Sequence, residues 1–133
     1  FRVYGDVERE LVLTIEELRA LPSHTAALPI TCVEGWSSQA TWTGVTVSEL
    51  LAQAGVPSTV AVDIRVESFQ HGSAYQFSTM SDEQARDRDA LIAYDLGGEP
   101  LHVDHGRPAR LIAPNRPGVL QTKWVEAIRV TRR

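Results

Sequence analysis

Apolar positions along this chain fall into short runs whose spacing changes from one run to the next. From Val60 to Glu67 the alternation is strict, with Val60, Val62, Ile64 and Val66 on one side and Ala61, Asp63, Arg65 and Glu67 on the other. A period of two residues predicts a half-buried strand. Val47, Leu50, Leu51 and Ala54 instead share one helical face, opened by Thr46 with Glu49 as a capping box and closed by Gly55. Thr14 with Glu17 predicts a second helix over Ile15 to Leu21 that Pro22 stops, and Ser81 with Gln84 a polar helical turn over Asp82 to Arg88. Phe1 to Tyr4 and Val7 to Leu13 are strand-like on either side of the turn Gly5-Asp6, which predicts a hairpin.

Ser23 to Ala27 has the composition of a linker, and Leu28 to Ile30 that of the end of a buried strand. Further extended runs are Ala40 to Val45, Ala74 to Ser78 after the loop Gln70-His71-Gly72, Ala90 to Tyr94, Ala109 to Ala113 and Val125 to Val130. Gly97-Gly98 with Pro100 breaks the run that ends near Tyr94. Roughly seven or eight short strands with two or three short helices, not in strict alternation, predict an α+β domain rather than a doubly wound parallel sheet.

Composition narrows this picture. At 133 residues and 43% apolar content the chain supports one domain with its own core, spanning residues 1–133. A net charge of -4 disfavours nucleic acid or an anionic membrane surface as the partner of the whole chain. One cysteine rules out an internal disulfide framework and any multi-cysteine metal site. No apolar run is long enough to span a bilayer. The chain opens on Phe1 with no initiator methionine, so it is expected to be a piece of a longer protein, with any membrane anchor upstream.

Two stretches stand out chemically. The lone cysteine, Cys32, sits in Ile30-Thr31-Cys32-Val33-Glu34-Gly35-Trp36-Ser37, where a buried strand gives way to a segment that Gly35 lets turn. Most free cysteines are small buried hydrophobes, and taken alone Cys32 reads that way. From His102 to Lys123 the chain carries His102, His105, Arg107, Arg110, Arg116 and Lys123 against a single acid, Asp104. Lys123 is the only lysine in the chain. Guanidinium groups and free backbone donors on loops suit a phosphate or similar oxyanion, whereas the bland reading is a solvated rim that balances acids elsewhere. Cys32 as a nucleophile with His71, His102 or His105 as base, and Cys32 with two histidines as a zinc site, stay open without specific support. A thiolate as the single protein ligand to a soft, high-valent metal otherwise held by an organic cofactor explains why one cysteine is enough. The basic segment would then hold the cofactor's phosphate.

Thr31-Cys32-Val33-Glu34-Gly35-Trp36-Ser37, followed by Trp42-Thr43-Gly44-Val45 and the Leu50-Leu51 helix, resembles the molybdopterin-binding domain of the sulfite oxidase family. Leu91 to Leu101, Asp104-His105-Gly106-Arg107-Pro108-Ala109-Arg110-Leu111 and Lys123-Trp124-Val125 follow in that family's order and spacing, so the resemblance covers nearly the whole chain. It implies a sulfite-oxidase-type fold of mixed β-sheets with short helices. It also implies a molybdopterin cofactor with Cys32 as the molybdenum ligand, and His105, Arg110, Gln121, Thr122 and Lys123 as cofactor-binding residues. Gln70 matches a further cofactor contact loosely, at a position where many relatives carry aspartate. Glu34 and Trp36 would lie beside the metal, and Arg116 is a candidate to steer an anionic substrate.

The family's upstream segment that covers part of the cofactor, and the immunoglobulin-like dimerisation domain of true sulfite oxidases, fall outside these residues. The chain is therefore more similar to compact bacterial relatives, and the fragment by itself is expected to be inactive and empty of cofactor if that upstream stretch is needed. The resemblance implies two-electron oxidation or reduction, most simply oxygen-atom transfer on a small substrate. An electron-transfer partner, haem-bearing or quinone-linked, and a place on the cell-envelope side go with it. The rival is a cofactor-free binding or interaction domain that keeps the fold. A cysteine hydrolase is a third reading, which a low thiol pKa would mark.

Overall fold

The computed structural model describes residues 1–31, 37–68, 77–101, 107–113 and 123–133. In chain order its elements are β1 (Arg2–Gly5), β2 (Leu11–Val12), α1 (Ile15–Ala20), β3 (His24–Thr31), β4 (Ser37–Thr46), α2 (Val47–Gln53) and β5 (Val62–Ser68). There follow β6 (Phe77–Met80), α3 (Asp82–Arg86), β7 (Leu91–Leu96), β8 (Glu99–Pro100), β9 (Arg110–Ile112) and β10 (Val125–Arg132). The expected α+β architecture of mixed sheets with short helices is what forms. One sheet has the order β2-β1-β10-β5-β6 and the other β3-β4-β7-β8, with β9 also pairing with β7. β1 and β10 run parallel, and the remaining pairs are antiparallel. Among the described residues no helix is long and apolar enough to cross a membrane.

The first sheet shows the alternation legible in the sequence. Val62, Ile64 and Val66 of β5 are buried, with Val66 opposite Ile128 and Ile64 opposite Val130. These side chains meet Val45, Ile92 and Leu111 from the second sheet and Leu18, Leu50, Leu51 and Ala85 from the helices in one apolar cluster. With only seven residues, α2 is too short to hold its shape by hydrogen bonding alone. Burial of Val47, Leu50 and Leu51, about 1.5–3 kcal/mol for each fully buried side chain, is what fixes it.

The helix ends form largely as the sequence predicts. Thr14 with Glu17 and Ser81 with Gln84 make reciprocal capping boxes. Thr46 caps α2 through the Glu49 amide at 3.0 Å, but the Glu49 carboxylate is taken up by Gln53 one turn later, at 2.9 Å, and the box is one-sided. Gly55, at φ +80°, donates to Ala52 O while Val56 donates to Leu51 O, the paired bonds of a Schellman end.

Four expectations are corrected. The linker expected over Ser23 to Ala27 is instead the first half of β3, where Thr25 and Ala26 pair with Thr43 and Trp42. Ala26 is buried, and side chains this small carry little hydrophobic pattern. The strand expected over Val7 to Leu13 shrinks to Leu11–Val12, because Asp6 N bonds Val130 O and Arg9 N bonds Ala54 O, which draws the chain away from β1. The strand expected over Ala74 to Ser78 runs on to Met80, which pairs with Ile64 and buries its side chain; its described part is Phe77–Met80, and residues 74–76 lie outside the described set. Gly97-Gly98, both at positive φ, do more than break β7. They turn it into β8, with Leu96 opposite Glu99.

The second sheet is covered on both faces. Beyond the main cluster, Ala26, Trp42, Leu91, Ala93, Leu101 and Ile112 form a second apolar cluster on its far side. Trp42 faces this second layer and Val45 the main core by ordinary alternation along β4, whereas β7 carries one extra residue, Tyr94, opposite the Thr43-Gly44 step, a bulge that lets Tyr94 face the main core and Leu96 the second layer. Gly44 is required there because a β-carbon would collide with the Ile92 carbonyl oxygen and lie 2.6 Å from the Ala93 Cα. Gly44→Ala is expected to destabilise the protein by about 1–3 kcal/mol, the usual cost of overpacking. Urea denaturation measures this, and an unchanged midpoint would contradict the close approach of β4 and β7.

Candidate functional site

The ends of the strands converge in a way that the sequence order hides. Ser68, at the end of β5, pairs with Val125 at the start of β10, and the neighbouring Glu67 pairs with Phe77 at the start of β6. Val125 N donates to Ala109 O at 2.9 Å, which ties the start of β10 in one sheet to the approach of β9 in the other. In the second sheet β4 pairs with β7 only from Trp42 onward, so Ser37 to Thr41 and Ala27 to Thr31 project past it as a two-stranded arm. β9 runs antiparallel to β7 with Arg110 opposite Ala93, so the approach to β9 lies toward the same end as that arm. The end of β5, the starts of β6 and β10 and the approach to β9 are thereby linked through backbone pairing, whereas β9 itself runs from there toward the Leu91 end of β7.

Arg110 is the central described side chain of this region. It begins β9 and is only 8% exposed, although it carries a guanidinium. Its Cζ lies 5.2 Å from the centre of the Trp42 ring, which itself is 2% exposed. Ala93 opposite Arg110 and Gly44 opposite Ala93 are small, which leaves room for the long side chain on this face. Burial pushes the Arg110 pKa down from the usual guanidinium range to about 10. The group therefore keeps its charge at neutral pH, at a desolvation cost that contact with the indole face offsets only in part.

Lys123 lies just before β10. Its carbonyl accepts a 2.8 Å hydrogen bond from the Ser68 hydroxyl, and its ammonium sits 5.8 Å from the centre of the Trp124 ring. Since Val125 is bonded to Ala109, the backbones of Arg110 and Lys123 leave from adjoining positions on two different sheets. A planar guanidinium held in a low-dielectric setting and a compact ammonium are each suited to an anionic group such as a phosphate.

Of the residues singled out in the sequence, Arg110 and Lys123 fall in this region. Cys32, Glu34, Trp36, Gln70, His105, Arg116, Gln121 and Thr122 lie outside the described residues. Among the described residues no group of three or more His, Cys, Asp or Glu side chains is arranged to hold a metal ion. Trp42 as the floor under Arg110, and Ser68 as the anchor of Lys123, were not assigned roles from sequence. An arginine inside the apolar run Ala109 to Ala113, with a tryptophan elsewhere in a glycine-bearing strand, is the only trace of the first pairing.

If Arg110 is kept for a ligand rather than for stability, its replacement by an apolar side chain of similar length should leave the fold intact. Arg110→Met retains a thioether against Trp42 and removes a buried charge, and is expected to be neutral or stabilising by about 1–4 kcal/mol. Because the folded pKa of Arg110 is lowered, the cost of its charge is full below about 10. It fades as pH rises from there towards the usual guanidinium range, so wild type should gain on the variant over that range. Denaturation of both proteins across pH measures this. A loss of several kcal/mol in Arg110→Met would make Arg110 a structural residue instead.

A family model described as oxidoreductase molybdopterin binding domain matches residues 1–133. The oxidoreductase YuiH of Bacillus subtilis is 29% identical over 132 residues, which cover 98% of this chain and 64% of that protein. An NADPH nitrate reductase of Neurospora crassa is 29% identical over 163 residues, 99% of this chain and 16% of the relative. Mitochondrial sulfite oxidase of Rattus norvegicus is 26% identical over 149 residues, 92% of this chain and 27% of the relative. The crystal structure of the sulfane dehydrogenase SoxCD from Paracoccus pantotrophus is similar in fold with a TM-score of 0.85. It is 27% identical, and the match covers 99% of this chain and 38% of that one. The chain thus spans less than two thirds of the length of these relatives.

Proposed function

The chain belongs to the oxidoreductase molybdopterin-binding domain family, in its sulfite oxidase branch, and from that premise we propose that it holds a molybdenum-bearing pterin cofactor and serves two-electron redox chemistry on a small substrate. The observation that carries the reading is Arg110, a charged guanidinium kept 8% exposed on an apolar sheet face where stability alone would favour an apolar residue. That donor set fits a phosphate-bearing cofactor. When bound, the cofactor supplies a metal centre able to exchange two electrons and an oxygen atom with substrate.

The chain's own residues bind and orient. Cys32 contributes a soft thiolate as the protein's ligand to the metal. Arg110 and Lys123 neutralise the phosphate, while His105, Gln121 and Thr122, with Gln70, complete the hold on the pterin. Glu34 and Trp36 shape the substrate side, and Arg116 steers an anionic substrate toward it. A burial shell like that around Trp42 excludes water and strengthens the electrostatic hold of Arg110. Electrons pass to or from a partner protein or quinone, and the substrate is a small, anionic molecule.

Elemental analysis of the full-length protein tests the reading directly, with molybdenum expected near one atom per chain. Cys32→Ser should keep the fold by circular dichroism and lose turnover, since a hydroxyl is a hard and rarely ionised ligand. Turnover retained by that variant with molybdenum bound would sink the ligand assignment. Absence of molybdenum from both fragment and full-length protein would favour a cofactor-free binding domain.

A further inference from the structure

We propose that Trp124 is a positioning residue for Lys123, holding its ammonium in place with the face of the indole. The inference rests on the reading of Lys123 as a phosphate-holding residue. Among the described residues Trp124 is the only non-glycine residue at positive φ, at 53°. That conformation is unfavourable for a bulky L side chain, and glycine would adopt it without cost. Two anchored peptide groups enforce it. Ahead of it the Lys123 carbonyl is held by the Ser68 hydroxyl at 2.8 Å, and behind it Val125 N is held by Ala109 O at 2.9 Å. The chain must turn sharply between those two bonds, and the register shift between Val125 and Ala127 shows β10 absorbing the remainder of the turn.

A position that asks for glycine but carries tryptophan is retaining the side chain for another purpose. Core packing is a poor explanation, because Trp124 is only half-buried whereas Trp42 is 2% exposed. The left-handed turn instead folds the indole back so that the Lys123 ammonium lies 5.8 Å from its ring centre, within the range of a cation–π contact. A lysine stem is flexible and its head is strongly hydrated, so unassisted it gives little directional preference. The ring face supplies that preference and excludes water from one side of the head. This fixes the ammonium near the place where Arg110 enters from the other sheet.

Since Lys123 is the only lysine in the chain, uniform lysine labelling with carbon-13 yields a single side-chain ε resonance to follow. In wild type this resonance should be shifted upfield by the indole ring current. Trp124→Gly, which suits the backbone, should move it to the position of a free lysine, and Trp124→Phe should keep it shifted. In full-length protein, molybdenum per chain should fall by about two- to fivefold in Trp124→Gly, the range of a partly exposed cation–π contact, and recover in Trp124→Phe. A lysine resonance unmoved in Trp124→Gly, or full molybdenum content in that variant, overturns the proposal. Wild type without molybdenum overturns the cofactor reading instead, and the resonance then decides the positioning role by itself.

Discussion

Burial of the second sheet on both faces is the constraint on which the rest depends. One face of β4, β7 and β9 closes the main core, and the other carries Trp42, Leu91, Ala93, Leu101 and Ile112. A strand in that setting has no solvent side, so any polar side chain placed on it is removed from water. Arg110 is buried for this reason alone. Gly44 serves the same arrangement, because the backbones of β4 and β7 can approach there only if no β-carbon stands between them.

The two sheets differ in how much of them the sequence discloses, and the reason is the same burial. β5 has water on one side, so Asp63 alternates with Val62 and Ile64, and its period is plain. All of Leu91 to Tyr94 in β7 is buried and its run has no period, which is why only length and flanking glycines mark it as a strand. β3 is least legible, since its first residues are His24, Thr25 and Ala26 and its pairing with β4 comes from backbone bonds across an interval that ordinary composition resembles. Caps, by contrast, depend on side chains three residues apart, and all three were visible before any tertiary contact was known.

For the site, residue types were legible and their meeting was not. A cationic stretch ending at Lys123 stands out in an acidic chain, and the resemblance over the Cys32 and His105 motifs named the cofactor class. Yet Arg110 and Lys123 are brought together by one bond between Val125 and Ala109, in strands of different sheets, and no spacing rule anticipates that. The strain at Trp124 is likewise invisible in sequence, because left-handed backbone is imposed by anchors at Ser68 and Ala109 that lie far away along the chain.

How the protein distributes its arginines separates the site from the scaffold. Arg2 with Glu10 and Arg133 with Asp63 are half-exposed pairs, weak and screened by salt. Arg19 is better placed, bidentate to Asp95 and stacked 4.5 Å over Tyr94, and it fastens α1 to the end of β7. All three have a carboxylate at hand and sit where water shares the charge. Arg110 differs from them in its burial, with its pKa lowered to about 10 and its flat group laid along an indole. A fold under selection for stability alone would replace such a residue with methionine or leucine. Retained where β9 of one sheet meets β10 of the other, it is the arginine on which the proposed cofactor site turns, and the surface arginines have no such place.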